Sequence, residues 1–189
     1  MGRLIVTEFV SLDGVMEAPG GEPGYAHSGW TMEFPDGGQY VYKLDETLAA
    51  DVLLLGRVTY ESWAAVWPGE TDGAGFADKL NAMPKYVVST TLGEATWNNS
   101  SILRDLDAVR QLKADVDGII LVSGSATLVH GLLAEDLVDE LRLMVFPVML
   151  GSGRRVFPET PDKQVFELIE TRTYDDSGVE VHAYRRPGR

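Results

Sequence analysis

Cysteine is absent from the 189 residues. Its absence excludes a disulfide scaffold, a cysteine nucleophile, a thiolate zinc site and a cysteine-ligated iron–sulfur cluster. Histidine is scarce. His27, His130 and His182 lie far apart with no ligand spacing between them, so no metal site is expected. Positive charge is also short: 16 Lys and Arg stand against 29 Asp and Glu, a formal net charge of −13. A chain of that sign repels a phosphate backbone, which argues against nucleic acid as a partner. No apolar run approaches the length of a membrane span, and Glu8 and Asp13 interrupt the apolar stretch near the N-terminus. No Walker A sequence is present. Gly151-Ser152-Gly153-Arg154-Arg155-Val156 lacks the final glycine of a dinucleotide fingerprint and follows the wrong element. Ser11 and Ser123 have no evident His and Asp partners for a hydrolase triad. The expectation is a cytoplasmic protein acting on a small molecule, without nucleic acid or membrane.

The chain is 44% hydrophobic and 24% charged, which describes a globular domain large enough to bury its own core. We expect one domain over residues 1–189. Leu4–Val10 is apolar and β-branched and reads as a strand, closed by the turn Ser11-Leu12-Asp13-Gly14. A Gly- and Pro-rich loop from Glu17 to Asp36 carries Tyr25, Trp30 and Phe34, and its length suggests a functional segment. Helical spacing over Gly38–Ala50 is followed by the buried run Asp51–Gly56 and a short helix from Thr59 to Val66. Phe76–Met83 reads as a helix, Tyr86–Ser89 as a strand, and Ile102 and Leu103 as a brief strand. Asp105 is placed to cap the helix that follows it. Gly118–Val122 is a buried strand leading through Ser123-Gly124-Ser125 into another helix. Glu140–Val148 alternates strongly. Val165–Tyr174 and Val179–Arg185 flank a hairpin turn at Asp175–Gly178. This alternation predicts an α/β fold with a mainly parallel central sheet, helices on its faces and an antiparallel C-terminal hairpin.

Ligands of such sheets bind at the carboxyl ends of the strands. At Gly56-Arg57-Val58-Thr59, glycine permits close backbone approach, the helix start offers free N–H groups, and Arg57 adds a guanidinium fork. Read alone, Gly56 could simply end a strand and Thr59 cap a helix. Ser123-Gly124-Ser125-Ala126-Thr127 repeats the design, with the same bland alternative of capping by Ser125. Two such sites in one sheet favour an extended phosphorylated ligand such as a dinucleotide. Asp13 reads as an acid, a substrate anchor or a turn residue, the last being the commonest use of Asp before Gly. Trp67 reads as a core residue left open to a ligand role by its place before a loop.

The series from Leu4–Gly14 through Leu54-Leu55-Gly56-Arg57-Val58-Thr59-Tyr60-Glu61, Lys85–Thr90, Ile119–Leu133 and Leu137–Leu141 to Phe146–Gly153 resembles a known family. It is similar, nearly end to end, to dihydrofolate reductase-like proteins related to the C-terminal reductase domain of the bifunctional riboflavin-biosynthesis deaminase–reductase. The resemblance implies a dihydrofolate reductase-like fold and an NADPH-dependent reductase. It implies cofactor phosphates at Gly56, Arg57 and Thr59, the adenosine part by Ser89 and Thr90, and the pyrophosphate at Gly124, Ser125, Ala126 and Thr127. Thr7, Asp13 and Gly14 would lie by the nicotinamide. The substrate would then sit beside Ser11 and Trp67 under the Glu17–Asp36 loop, with Asp13 as proton source or anchor. The implied substrate is 5-amino-6-(5-phosphoribosylamino)uracil or a related riboflavin-pathway or pterin-like compound. The alternatives are another small-molecule reductase and an NADPH-binding protein without turnover. The acidic residue that anchors pterin in dihydrofolate reductases would fall near Tyr40, where no carboxylate stands. The resemblance and the strong C-terminal strands, one of which must meet a sheet edge, imply a homodimer.

Overall fold

Apolar runs bounded by glycine and polar turns give one eight-stranded sheet, in a computed structural model that describes residues 1–161 and 163–188. In chain order the elements are β1 (Arg3–Ser11), α1 (Gln39–Ala49), β2 (Val52–Gly56), α2 (Arg57–Ala64), α3 (Phe76–Ala82), β3 (Lys85–Val88) and β4 (Ser100–Leu103). There follow α4 (Leu106–Asp115), β5 (Ile119–Val122), α5 (Ala126–Ala134), β6 (Glu140–Phe146), β7 (Glu167–Tyr174) and β8 (Val179–Arg185). The spatial order is β4-β3-β2-β5-β1-β6-β8-β7. Pairing is parallel from β4 through to β6, and antiparallel where β8 meets β6 and β7. The expected α/β architecture with an antiparallel C-terminal hairpin is therefore the observed one.

Alternation along the central strands assigns their side chains to two cores. Leu4, Val6, Leu54, Ile120 and Val122 pack under Val109 and Leu112 of α4 and Val129 and Leu132 of α5. Ile5, Leu53, Leu55 and Leu121 pack on the other face with Tyr60, Leu80 and Trp97. A third cluster joins Trp30, Tyr42, Met144, Phe146, Val179 and Val181 beside the hairpin.

Several boundaries differ from the sequence reading for local reasons. α2 starts at Arg57, two residues before Thr59, because the chain turns into the helix directly from Gly56. β6 stops at Phe146, where Val148 N turns back to the Phe146 carbonyl. The Glu17–Asp36 segment is pinned down and includes a short 3-10 turn, Trp30–Glu33. The Trp30 indole is buried edge-on against Phe146 and donates to the Glu17 carbonyl at 2.9 Å, and Tyr25 donates to the Ser152 carbonyl at 2.6 Å. Its aromatic residues serve packing, so the segment is not a loose cover for a ligand.

Lys85 is fully buried, and its Nζ donates to the carbonyls of Leu80, Asn81 and Met83 at 2.7, 3.2 and 2.9 Å. The ammonium therefore closes the C-terminal end of α3 and lies 4.6 Å from the centre of the Trp97 ring. Burial pushes its pKa down from 10.5 to about 8. Across that window the unfolded chain holds more protons than the folded one, so this group adds stability as pH rises from about 8 to 10.5. Lys85→Met removes all three donors and should cost about 1–3 kcal/mol. The deficit relative to wild type should widen between pH 8 and 10 in denaturant titrations, about the span just given; a constant deficit would contradict this role.

Candidate active site

The ends of β2 and β5 are interlocked. Gly56 N donates to the Gly124 carbonyl at 3.1 Å. A Cβ on Gly56 would lie 2.2 Å from Ser125 Oγ and 2.9 Å from Ser125 N. A Cβ on Gly124, whose φ is +69°, would lie 2.6 Å from Thr59 Oγ1. Only glycine fits at either place. The two helices that begin here, α2 and α5, receive no side-chain cap, whereas Asp105 caps α4 by accepting from Ala108 N at 2.8 Å. Uncapped N–H groups of two helix starts therefore meet at one point, which favours an anion there. A cavity of about 700 Å³ opens beside them, with Gly56, Arg57, Thr90, Arg104, Thr127 and Arg154 among its lining residues. Arg57 is paired with Glu61 at 2.8 Å, but both are well exposed, and a phosphate can displace so weak a contact. A second depression, about 570 Å³, lies at the opposite ends of β3 and β4 beside Pro84, Tyr86 and Trp97, and no charged side chain lines it.

Next along the strand ends is an opening between β1 and β5. The two strands pair from Arg3 to Val6, after which β1 continues to Ser11 joined only to β6. Arg3 N bonds toward β5 and Leu4 N toward Asp139 before β6, so odd-numbered residues of β1 turn their backbone groups toward β5. The backbone of Thr7 and Phe9 thus faces the opening. Glu8 sits in its floor, 7% exposed, with Oε1 accepting from Gly124 N at 2.7 Å. Burial raises its pKa from 4.5 to about 8, against the opposing pull of the Gly124 N–H and of Lys43.

On the α1 side the polar groups form a chain. Thr7 Oγ1 donates to Glu46 Oε2 at 2.9 Å and also meets Lys43 Nζ. Lys43 pairs with Glu46 at 3.1 Å, and Arg142 bridges Glu46 at 3.4 Å and Glu140 at 2.5 Å. Lys43 Nζ stands 5.0 Å over the Phe9 ring, which meets Tyr40 edge-on at 6.2 Å. Half-buried rings and a cation thus border the opening on this side.

Residues 3–179 match the RibD C-terminal domain. The chain belongs to that family. Two relatives from Bacillus subtilis (strain 168) are similar along nearly their whole length. Uncharacterized protein YyaP is 29% identical over 184 residues, covering 95% of this chain and 93% of its own. Uncharacterized protein YwjB is 28% identical over 180 residues, covering 93% and 94%. Among solved structures, a candidate riboflavin biosynthesis protein from Shewanella sp. PV-4 superposes with a TM-score of 0.73 at 22% identity, over 97% of this chain and 98% of that one. Dihydrofolate reductase from Enterococcus faecalis, complexed with NADP(H) and RAB-propyl, gives 0.66 at 15% identity, over 98% and 97%. The fold is dihydrofolate reductase-like.

Against this RibD C-terminal-type fold the individual residues divide. Gly56, Arg57, Thr59, Gly124, Ser125 and Thr127 gather at the two helix starts, and Ala126 is buried just beneath. Thr90 reaches the cavity, while Ser89 turns inward and accepts from Thr91 N and Leu92 N. The Thr7 hydroxyl points to α1, leaving only its backbone for the opening. Ser11 is buried, its hydroxyl donating to Asp13 Oδ1 at 2.7 Å and accepting from Val15 N, so its one donor is spent inside the turn. Asp13 also accepts from Leu150 N and Gly151 N at 3.1 and 2.8 Å, with Arg155 at 3.7 Å. The Ser11 hydroxyl and these N–H groups hold its carboxyl down to about 2. An ionised carboxylate spent on four partners fastens the β1 turn to the segment after β6 and cannot supply a proton near neutral pH. Gly14, at φ +83°, serves the same turn. Trp67 packs edge-on with Trp63 and Phe76 at 6.3 and 5.3 Å, the core reading of that residue. Arg104, Arg154, Glu8, Lys43 and Glu46 escaped the sequence reading. Arg104 had a usable signal, since it stands at the end of a strand just before a helix cap, as Arg57 stands at the start of a helix.

Glu8 keeps its proton to about pH 8 in the folded protein and loses it near 4.5 when unfolded. Its contribution to stability is complete below pH 4.5 and fades as pH rises through about 8. Glu8→Gln retains the acceptor for Gly124 N without the ionisation. Its melting temperature should therefore climb relative to wild type between pH 5 and 8.5, roughly the window this linkage covers. Parallel profiles would remove the claim that Glu8 is buried neutral.

Proposed function

We propose that the protein is an NADPH-dependent reductase acting on a small heterocycle. The observation that carries this reading is the line of the site. From Thr90 at the end of β3, past the helix starts at β2 and β5, to the opening at β1 is three strand spacings, about 14 Å, and Arg104 after β4 lies one spacing, about 5 Å, farther out. That line offers guanidinium groups, then converging N–H donors, then a slot with backbone and a carboxyl at its floor, in the order an extended dinucleotide phosphate would need. NADPH, when bound, supplies the hydride. Gly56, Thr59, Gly124, Ser125 and Thr127 would hold its pyrophosphate, and Arg57 and Arg104 the phosphate on the adenosine ribose. Thr7 and Phe9 would offer backbone groups to the nicotinamide.

The substrate belongs on the α1 side, against Phe9, Tyr40 and Lys43. Membership of the RibD C-terminal domain family supports 5-amino-6-(5-phosphoribosylamino)uracil or a related riboflavin-pathway or pterin-like compound. Dihydrofolate fits less well, because the resemblance puts the pterin-anchoring position near Tyr40, where no carboxylate stands. Glu46 on the same helix is already held by Thr7, Lys43 and Arg142. The engagement of Asp13 in its turn favours a second reading, NADPH binding without turnover. Oxidation of NADPH by the uracil compound separates the two.

A charge-assisted phosphate contact contributes about 1.5–3 kcal/mol, so Arg57→Ala and Arg104→Ala should each weaken NADPH roughly tenfold or more in fluorescence titrations. NADH should be weakened far less by both. Equal losses for the two cofactors would assign these arginines to the pyrophosphate or to the fold.

The same proposal includes a homodimer formed through the C-terminal strands. β7 ends the sheet, and Leu168 and Ile169 on it are 56% and 43% exposed. Two exposed aliphatic side chains at a free edge, between Glu167 and Glu170, favour cover by a second copy. Sedimentation at micromolar concentration should give twice the chain mass, reduced by Leu168→Lys; a wild-type monomer would end the dimer proposal.

A further inference from the structure

Glu8 is a buried carboxyl that the binding of cofactor phosphates does not use. It lies where β1 has parted from β5, one strand beyond the two helix starts, and its Oε1 is fixed by Gly124 N at 2.7 Å. No described residue hydrogen-bonds Oε2. Among the described residues, buried side-chain polar atoms without a partner are confined to Ser100 Oγ and Arg186 Nε. Oε2 is not one of them, so it has an outlet to solvent, at the end of the carboxyl that Gly124 N holds across the parting of β1 and β5. The charged groups around Glu8 are few. From α1 come Lys43 and Glu46, which act on it in opposite directions. From β6, Arg142 is held by Glu46 and Glu140. The turn from β5 to α5 brings only the Gly124 N–H.

We infer that Glu8 is the acid of the reaction, donating the proton that completes the reduction. The inference rests on the reductase reading above. In the balanced step, a hydride with its electron pair passes from NADPH to the carbon of a C=O or C=N bond. The π electrons of that bond move to the oxygen or nitrogen, which takes the proton from Glu8 as the carboxyl O–H bond breaks. The products are NADP⁺, the reduced substrate and the Glu8 carboxylate, which regains a proton from solvent through its outlet. The charge change drives the transfer. Loss of hydride turns a neutral ring into a cation, and a cation within a few ångströms makes a neutral carboxyl a stronger acid. A carboxyl that starts protonated near neutral pH, as burial makes this one, is suited to that cycle.

The linkage can be read without any substrate. NADP⁺ carries the cationic ring and NADPH the neutral one, while their phosphates are the same and cancel in the difference. Calorimetric titration of each cofactor at pH 7, in two buffers of different ionisation heat, counts the protons exchanged. We expect NADP⁺ to release about half a proton or more beyond NADPH from the wild-type protein, and Glu8→Gln to abolish the difference while still binding both. Should that variant fail to fold, carbon-13 NMR of carboxyl-labelled wild-type protein reads the same event: one glutamate ionises with NADP⁺ and stays protonated with NADPH. Binding with no such difference, or a difference that persists in Glu8→Gln, overturns the role of Glu8 and leaves the reductase reading intact. Failure of both cofactors to bind overturns that reading and this one with it.

Discussion

The contact on which the site depends is the meeting of two strand ends with no room for a side chain between them. Gly56 rests on Ser125, Gly124 rests on Thr59, and Gly56 N joins the Gly124 carbonyl. Because β2 and β5 are neighbours in the sheet, that contact fixes where α2 and α5 begin. It also aims their free N–H groups at one point. A methyl group at either glycine would have to push backbone or a half-buried hydroxyl aside, which close packing does not allow without cost. The same contact sets the position of Gly124 N, and through it the carboxyl of Glu8.

Around this rigid point the protein tolerates several buried charges. Glu8, Glu46, Lys85, Lys113 and Glu140 are all nearly withdrawn from solvent. Isolated charges in such places are strongly unfavourable, and each is accounted for by partners or by loss of charge. Lys85 is satisfied by three helix-end carbonyls, and Lys113 by the Leu137 carbonyl and Asp139. Glu46 and Glu140 are held by Arg142, with Lys43 beside Glu46. Glu8 alone of this group has a single backbone donor, and burial keeps it neutral instead. That difference separates a structural charge from a group free to give up a proton.

Much of the architecture was legible in the sequence, because it follows from short-range pattern. The run at residues 52–56, the cap at Asp105, the apolar strand before Ser123 and the hairpin at Asp175–Gly178 each announce themselves by periodicity or turn chemistry. The gathering of residues at the starts of α2 and α5 was legible for the same reason, since glycine and hydroxyl residues at strand ends form local motifs. The rest of the site depends on contacts across long stretches of chain. Glu8 meets Gly124 116 positions away, and Arg142 reaches Glu46 across 96. Nothing in the Thr7-Glu8-Phe9 segment distinguishes a carboxyl under a helix start from one on a solvent-facing strand. Asp13 shows the same dependence on distant contacts. Its place in a strand-end turn suggests chemistry, but the N–H groups of Leu150 and Gly151 that occupy it lie more than 130 residues on.

The central claim is that the strand ends form one continuous dinucleotide site, with phosphate at the interlocked glycines and the reactive ring at the parting of β1 and β5. A crystal structure of the protein with NADPH tests it most directly. The account predicts density running from Arg104 past the N-termini of α2 and α5, with the nicotinamide ring in contact with Glu8 and the backbone of Thr7 and Phe9. Cofactor bound in the depression beside Tyr86 and Trp97, or lying with its ring away from β1, would contradict it.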